Sequence, residues 1–252
     1  VSEEFHEGSL LDRLSSPAAL ELQYEHSRAR EREILDGALA LRGGDVLSVG
    51  CGWNPGRHLF PAPEWRMTGV ELDGERPRVL VEDGTLDEGF AGRGGELDLP
   101  DESFDVVLYR LVLHHIAYQG SLRPVFEEAA RLLRPGGALI AVEPGSLHPV
   151  GVGLALANRA GLGVAVHGTP DDIPLSPGRL EREATAVGLK PEVHAVTYTW
   201  RRMPETLQRA MWPLDRALGA RPRAARLGHT LMLVARRAEG RPTAGKGEEG
   251  AG

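Results

Sequence analysis

Cysteine is all but missing from this 252-residue chain, with Cys51 as its one example. That excludes an internal disulfide framework and any metal site built from cysteine pairs. An excess of basic charge is missing too: 29 Lys and Arg against 36 Asp and Glu leave a net charge of −7. General affinity for nucleic acid rests on clustered Lys and Arg, so no nucleic-acid partner is expected. No apolar run approaches the roughly 18 residues of a membrane span. The most apolar stretch, Val150 to Val166, is Gly-rich and is broken by Asn158 and Arg159. Glu3, Glu4 and Glu7 give the opening residues the wrong charge for a signal peptide. The expectation is a cytoplasmic chain with no membrane partner. Its 32 glycines and 18 prolines follow no fixed period, and they make up about a fifth of the chain, below the share typical of low-complexity disorder.

What is present reads as one α/β domain behind a helical cap. Ser16-Pro17 opens a predicted helix through Leu20, Tyr24, Ile34 and Leu35 that Gly43-Gly44 should stop, after a short leucine stripe at Leu10, Leu11 and Leu14. Short apolar runs come next at 45–49, 67–71, 104–109 and 138–143, with a helix predicted over 122–133. Strands alternating with helices imply parallel pairing and a doubly wound sheet with helices on both faces. The runs are apolar throughout rather than alternating, as buried parallel strands are. Regularity lapses after Pro144 for about thirty residues. Ser176-Pro177 then caps a helix bearing Leu180, Ala184 and Val187. A strand is expected over 192–200, a helix over 203–220 broken at Pro213, and a last strand over 229–235. This divides the chain into a cap (1–42), a main domain (43–237) with a lid insertion at about 145–175, and a disordered tail (238–252).

The informative segment is Val46-Leu47-Ser48-Val49-Gly50-Cys51-Gly52-Trp53-Asn54-Pro55-Gly56. Glycines where a strand feeds a helix allow a sharp turn and close approach to a ligand. Nineteen positions beyond Gly52, Glu71 closes the next strand, placed to accept hydrogen bonds from both hydroxyls of an adenosine ribose. A dinucleotide would call for G-x-G-x-x-G, but Pro55 stands at the third glycine and Gly56 one place late. Proline has no N–H to offer a pyrophosphate. A nucleoside without phosphates fits better, and a merely tight turn is the bland alternative.

At this point the chain resembles the class I S-adenosylmethionine-dependent methyltransferases, in particular their small-molecule, type 11-like branch. Val46 to Gly52 is similar to the family's glycine motif and Gly69-Val70-Glu71 to its ribose-binding strand end. Leu99 to Val107 is similar to the signature that leads into its fourth strand, Leu111 to Ile116 to the segment just beyond that strand, and Leu132 to Gly137 to the turn before the fifth. The resemblance implies a Rossmann-like, mostly parallel seven-stranded sheet with an antiparallel last strand, and S-adenosyl-L-methionine as cofactor. It implies cofactor contacts from Gly50, Cys51, Gly52, Glu71, Leu72, Gly94, Gly95, Glu96, Tyr109 and Arg110. Two positions depart from the family: Ser48 and Arg93 stand where it usually has acids.

Methyl transfer from a sulfonium is an in-line displacement whose leaving group departs neutral. The protein must align the reactants and exclude water, and a hydroxyl or ammonium acceptor also needs a base. His115 and His114, just past the fourth strand, are the leading candidates, followed by Glu143 at the end of the fifth. Neighbouring helical residues point about 100° apart, so one of the two histidines is expected to face the pocket. Arg110 is open to two readings, an acidic substrate or an internal carboxylate. Local packing is the competing reading for the histidines, and a solvated strand end is that for Glu143. The lid carries His148 and His167 with many small apolar residues, suited to an apolar substrate. No metal site is expected, because no H-E-x-x-H spacing occurs. The resulting expectation is methyl transfer to O or N of a small molecule by a chain free to form a homodimer. The alternative is cyclisation or rearrangement with the same fold and cofactor, and a nicotinamide enzyme is disfavoured by Pro55.

Overall fold

The structure, a computed structural model, describes residues 16–167, 173–219 and 221–239. The leucine stripe at Leu10, Leu11 and Leu14, part of the lid and the tail beyond 239 lie outside the described residues.

Helix α1 (Pro17–Ala38) begins as the sequence predicts, with Ser16 Oγ accepting from the Ala19 N–H at 3.4 Å. It stops at Ala38, short of Gly43-Gly44. Strands β1 (Gly44–Val49), β2 (Trp65–Glu71), β3 (Glu88–Ala91), β4 (Phe104–Arg110), β5 (Leu133–Pro144), β6 (Lys190–Thr197) and β7 (Thr230–Arg236) form one sheet. Their order is β3-β2-β1-β4-β5-β7-β6. The pairs β1–β2, β2–β3, β1–β4 and β4–β5 are parallel, and β7 runs against both β5 and β6. This is the expected doubly wound sheet with its last strand reversed. Sequence order turns back on itself between β1 and β4, which opens a crevice at their carboxyl ends, where such sheets bind ligands.

Both faces are covered. Leu47, Val107 and Leu139 pack towards Phe126 and Ala129 of α4 (Arg123–Leu132) and Leu180 of α7 (Pro177–Ala186). Val46, Val106 and Ile140 pack on the opposite side with Leu35 of α1, Leu59 and Phe60. Successive strand residues point to opposite faces, so burial at every position is what two covered faces require.

Four local expectations are corrected. First, no helix follows the glycine turn: residues 50–64 are turns, with Leu59 N–H bonded to Gly56 O and Phe60 N–H to Arg57 O. Pro55, Pro61 and Pro63 deny that segment the N–H groups a helix needs, and Leu59 and Phe60 fill the space as buried side chains. Second, the irregular stretch after Pro144 contains two helices, α5 (Pro149–Arg159) and α6 (Gly163–His167). Third, α8 (Glu205–Gly219) continues through Pro213. Fourth, the short, polar edge strand β3 lacks the apolar run that would have marked it. The remaining helices are α2 (Glu75–Glu82), α3 (Leu113–Gln119) and α9 (Pro222–Ala225). No helix among the described residues is long and apolar enough to cross a membrane.

Candidate active site

The glycine turn is organised by its own hydrogen bonds. The N–H groups of Gly50 and Cys51 both donate to Val70 O, at 2.8 and 3.1 Å. The Gly52 N–H donates to Glu71 Oε2 and the Leu72 N–H to Oε1, each at 3.0 Å. A phosphate cradle needs convergent free N–H groups or a helix N-terminus; here the Gly50, Cys51 and Gly52 N–H groups are already bonded and no helix follows. The Glu71 carboxylate instead offers acceptor capacity. It has about four lone-pair sites, of which backbone N–H groups occupy two, so the rest suit the two hydroxyls of a ribose. Gly50 and Gly52 have φ of +65° and +49°, a region that favours glycine. A side chain at Gly50 would overlap Val112, whereas one at Gly52 would meet nothing within 4 Å, so the turn opens to the crevice at Gly52. Leu72 projects beside it, 68% exposed, a surface for an apolar ring.

The turn at Arg93–Glu96, closed by the Glu96 N–H on Arg93 O at 2.9 Å, lies against the end of β1: a Cβ on Gly94 would come within 2.6 Å of Val49 Cγ1. Gly94 therefore neighbours the end of β1, Gly95 lies against Pro124 and Val125 of α4, and Glu96 is exposed. Cys51 contributes only backbone. Its buried thiol is pushed up to about 12 by desolvation and by the Glu71 charge, so it remains protonated.

Two expected cofactor contacts are corrected at the end of β4. Tyr109 is buried in the core, its hydroxyl donating to Val125 O of α4 at 3.2 Å, and burial drives its pKa up. Its side chain faces away from the crevice. Arg110 resolves to its internal-carboxylate reading: Nε and Nη2 each lie 3.3 Å from a Glu31 oxygen on α1. Burial alone would raise Glu31, yet Arg110 and His58 hold its carboxyl below the ordinary range. His58 Nε2 is 3.0 Å from the same carboxylate. Nothing in the sequence marked Glu31, which sits in a run of surface-like charge.

Beyond β4 the chain takes a strained step, with Leu111 at φ +57°, and enters α3. Glu143 is not the solvated strand-end acid of the competing reading. It is fully buried, and its Oε1 accepts from the Val112 and Leu113 N–H groups at 3.0 and 2.8 Å. Its Oε2 lies 2.6 Å from His114 Nδ1. A carboxylate can only accept, so Nδ1 carries a proton. His115, half-buried, packs its ring 4.1 Å from that of His114. Val112 covers Gly50, which brings this imidazole–carboxylate pair next to the glycine turn.

A second histidine pair, of which sequence marked only His148, stands at the same sheet edge. The rings of His148 and His229 meet edge to face at 5.1 Å. His148 caps α5: Nε2 donates to Tyr198 O at 3.1 Å and Nδ1 accepts from the Val150 N–H at 3.2 Å. Burial lowers His148, and the carbonyl bond opposes that in part. His229 is pushed down to about 3 by burial, by His148 and by Arg201. Trp53 faces the Arg76 guanidinium at 5.8 Å, and Trp212 stacks on His26 at 4.2 Å. Among the described residues no group of three or more His, Cys, Asp or Glu could hold a metal ion.

Fold and site together define a Rossmann-like domain with a glycine turn held by the Glu71 carboxylate at its ligand-binding edge. Comparison with known proteins gives that class a family. Residues 47–141 match the model of a methyltransferase domain family, type 11. A probable S-adenosylmethionine-dependent methyltransferase of Mycolicibacterium smegmatis is 34% identical over 125 residues, 46% of this chain and 44% of that protein. The 27-O-demethylrifamycin SV methyltransferase of Amycolatopsis mediterranei is 34% identical over 123 residues, again 46% and 44%. Each match spans less than half of the relative's length. Among solved structures, a possible histamine N-methyltransferase of Thermotoga maritima superposes with a TM-score of 0.57 at 17% identity, over 85% of this chain and 94% of that one. That likeness is one of fold.

Proposed function

We propose that the protein transfers the methyl group of S-adenosyl-L-methionine to an oxygen or nitrogen of a small molecule, with the His114–Glu143 pair as proton acceptor. Gly50 to Gly52, Glu71, Leu72 and Gly94 to Glu96 would hold the cofactor, which supplies an electrophilic methyl on a cationic sulfur. The chain's own task is to orient and deprotonate. Glu143 holds the Nδ1 proton of His114, so Nε2 takes the proton leaving the acceptor's O–H or N–H as the new bond to carbon forms. The imidazolium then sits beside a carboxylate that stabilises it. His115 packs on this ring.

The observation that carries this reading is the 2.6 Å contact between His114 Nδ1 and a fully buried Glu143. Methyl-labelled cofactor and a panel of phenols and amines test it. Label should pass to an acceptor, with the rate falling about 10²- to 10⁴-fold in His114→Ala. Tight cofactor binding with no label transferred to any acceptor would instead favour catalysis without transfer.

A further inference from the structure

The lid helices α5 and α6, with Tyr118 of α3 and Ser146, enclose a cavity of 690 Å³, within the range of about 300–1,000 Å³ usual for small-molecule sites. The cavity is rooted at the catalytic edge. A side chain at Gly151 would overlap the Gly145 carbonyl, so this glycine seats α5 against the residue two positions beyond Glu143. The His148 cap ties the same helix to β6 through Tyr198. Tyr118 lies one helical turn from His114 on α3.

Its walls are apolar, and they are open. Val152, Leu156 and Val164 line it while remaining 46%, 59% and 58% exposed, and Ala155 and Ile173 lie between them. Scattered exposed apolar residues are ordinary, but several converging on one concave surface form a binding site. Arg159 is the one charged group among the described lining residues.

We propose that this cavity is the acceptor site, and that it selects a ring-bearing, largely apolar molecule with an anionic substituent. The rings lie against Tyr118 and the aliphatic walls, and the anion lies towards Arg159. A small polar amine or amino acid would leave these walls wet and place a cation beside a guanidinium. The assignment of this ligand as methyl acceptor rests on the methyl-transfer reading; the cavity's ligand chemistry does not.

Two fluorescent probes test it on the full chain saturated with S-adenosylhomocysteine: 8-anilinonaphthalene-1-sulfonate, an aromatic anion, and N-phenyl-1-naphthylamine, a similar ring system without the charge. Both should bind at one saturable site. Ala155→Trp, which fills the cavity, should weaken both by about tenfold or more, and Val164→Trp from the facing wall should do the same if the first variant folds poorly. Arg159→Gln should weaken the anion by about tenfold through loss of a charge-assisted contact, leaving the neutral probe unchanged. Binding that survives both tryptophan variants, or an Arg159→Gln effect equal on both probes, overturns the proposal. S-adenosylhomocysteine binding, measured separately by calorimetry, reports on the cofactor reading alone. Its loss with intact probe binding would sink that reading, and the acceptor role with it, and leave the cavity's ligand chemistry standing.

Discussion

At the level of single residues, the site is arranged around two carboxylates with different duties. Glu71 is half-exposed and keeps acceptor capacity for a ligand, whereas Glu143 is sealed and its oxygens are committed to α3 and His114. Glu71→Ala should weaken S-adenosylhomocysteine binding by about 1–3 kcal/mol, seen by calorimetry; unchanged affinity would remove its ribose role. Glu143→Gln retains the shape but replaces a fixed carboxylate with a neutral amide. Turnover should fall, and the acid limb of its pH profile should move down as His114 loses its anionic partner. A variant with unaltered profile would leave Glu143 a structural residue only. Sequence revealed Glu71, since strand end and glycine turn are both local patterns. The real partners of Glu143 and Arg110 lie 29 to 31 and 79 positions away, where no periodicity reports them. Tyr109 was legible in principle: it shares strand parity with Val107, whose side chain faces the α4 core.

At the level of elements, α1 is joined to the site by buried charge. Glu31→Ala would leave the Arg110 guanidinium buried without this carboxylate, at a cost of about 3–5 kcal/mol. Urea unfolding should show it as a lower midpoint at unchanged slope. Asp215 of α8 makes a second junction: it is fully buried, accepts from the Tyr198 N–H at 2.8 Å and lies 2.6 Å from His26 Nε2 of α1. The β7 end adds a pH dependence. His229, at about 3 in the fold against 6.5 ordinarily, stays neutral while the unfolded chain takes up a proton. Below pH 6.5 the unfolded state binds more protons, so stability falls with pH until about 3. The slope from one such group is at most about 1.4 kcal/mol per pH unit. His229→Asn should flatten this limb in unfolding measurements, and an identical limb would show that other groups set it. The lid helices escaped the sequence because Gly151, Gly153, Gly161 and Gly163 blur any apolar period.

For the whole molecule, the parallel core of the sheet could be read because each buried strand is a contiguous apolar run between turn signals. The count of seven strands and the reversed last one were carried by family resemblance, since pairing across dozens of residues leaves no local trace. The helix missing after the glycine turn was concealed for a related reason: strand and turn promised it, and three prolines together with the buried Leu59 and Phe60 replaced it. That replacement bears directly on function, because a turn with no helix behind it lacks the helix N-terminus that suits a phosphate. Calorimetric titration of the full chain with S-adenosylhomocysteine, and in parallel with NADH, tests this most directly. One-site binding of the first and no heat with the second is the predicted result. Binding of NADH with indifference to the adenosyl compound would contradict it.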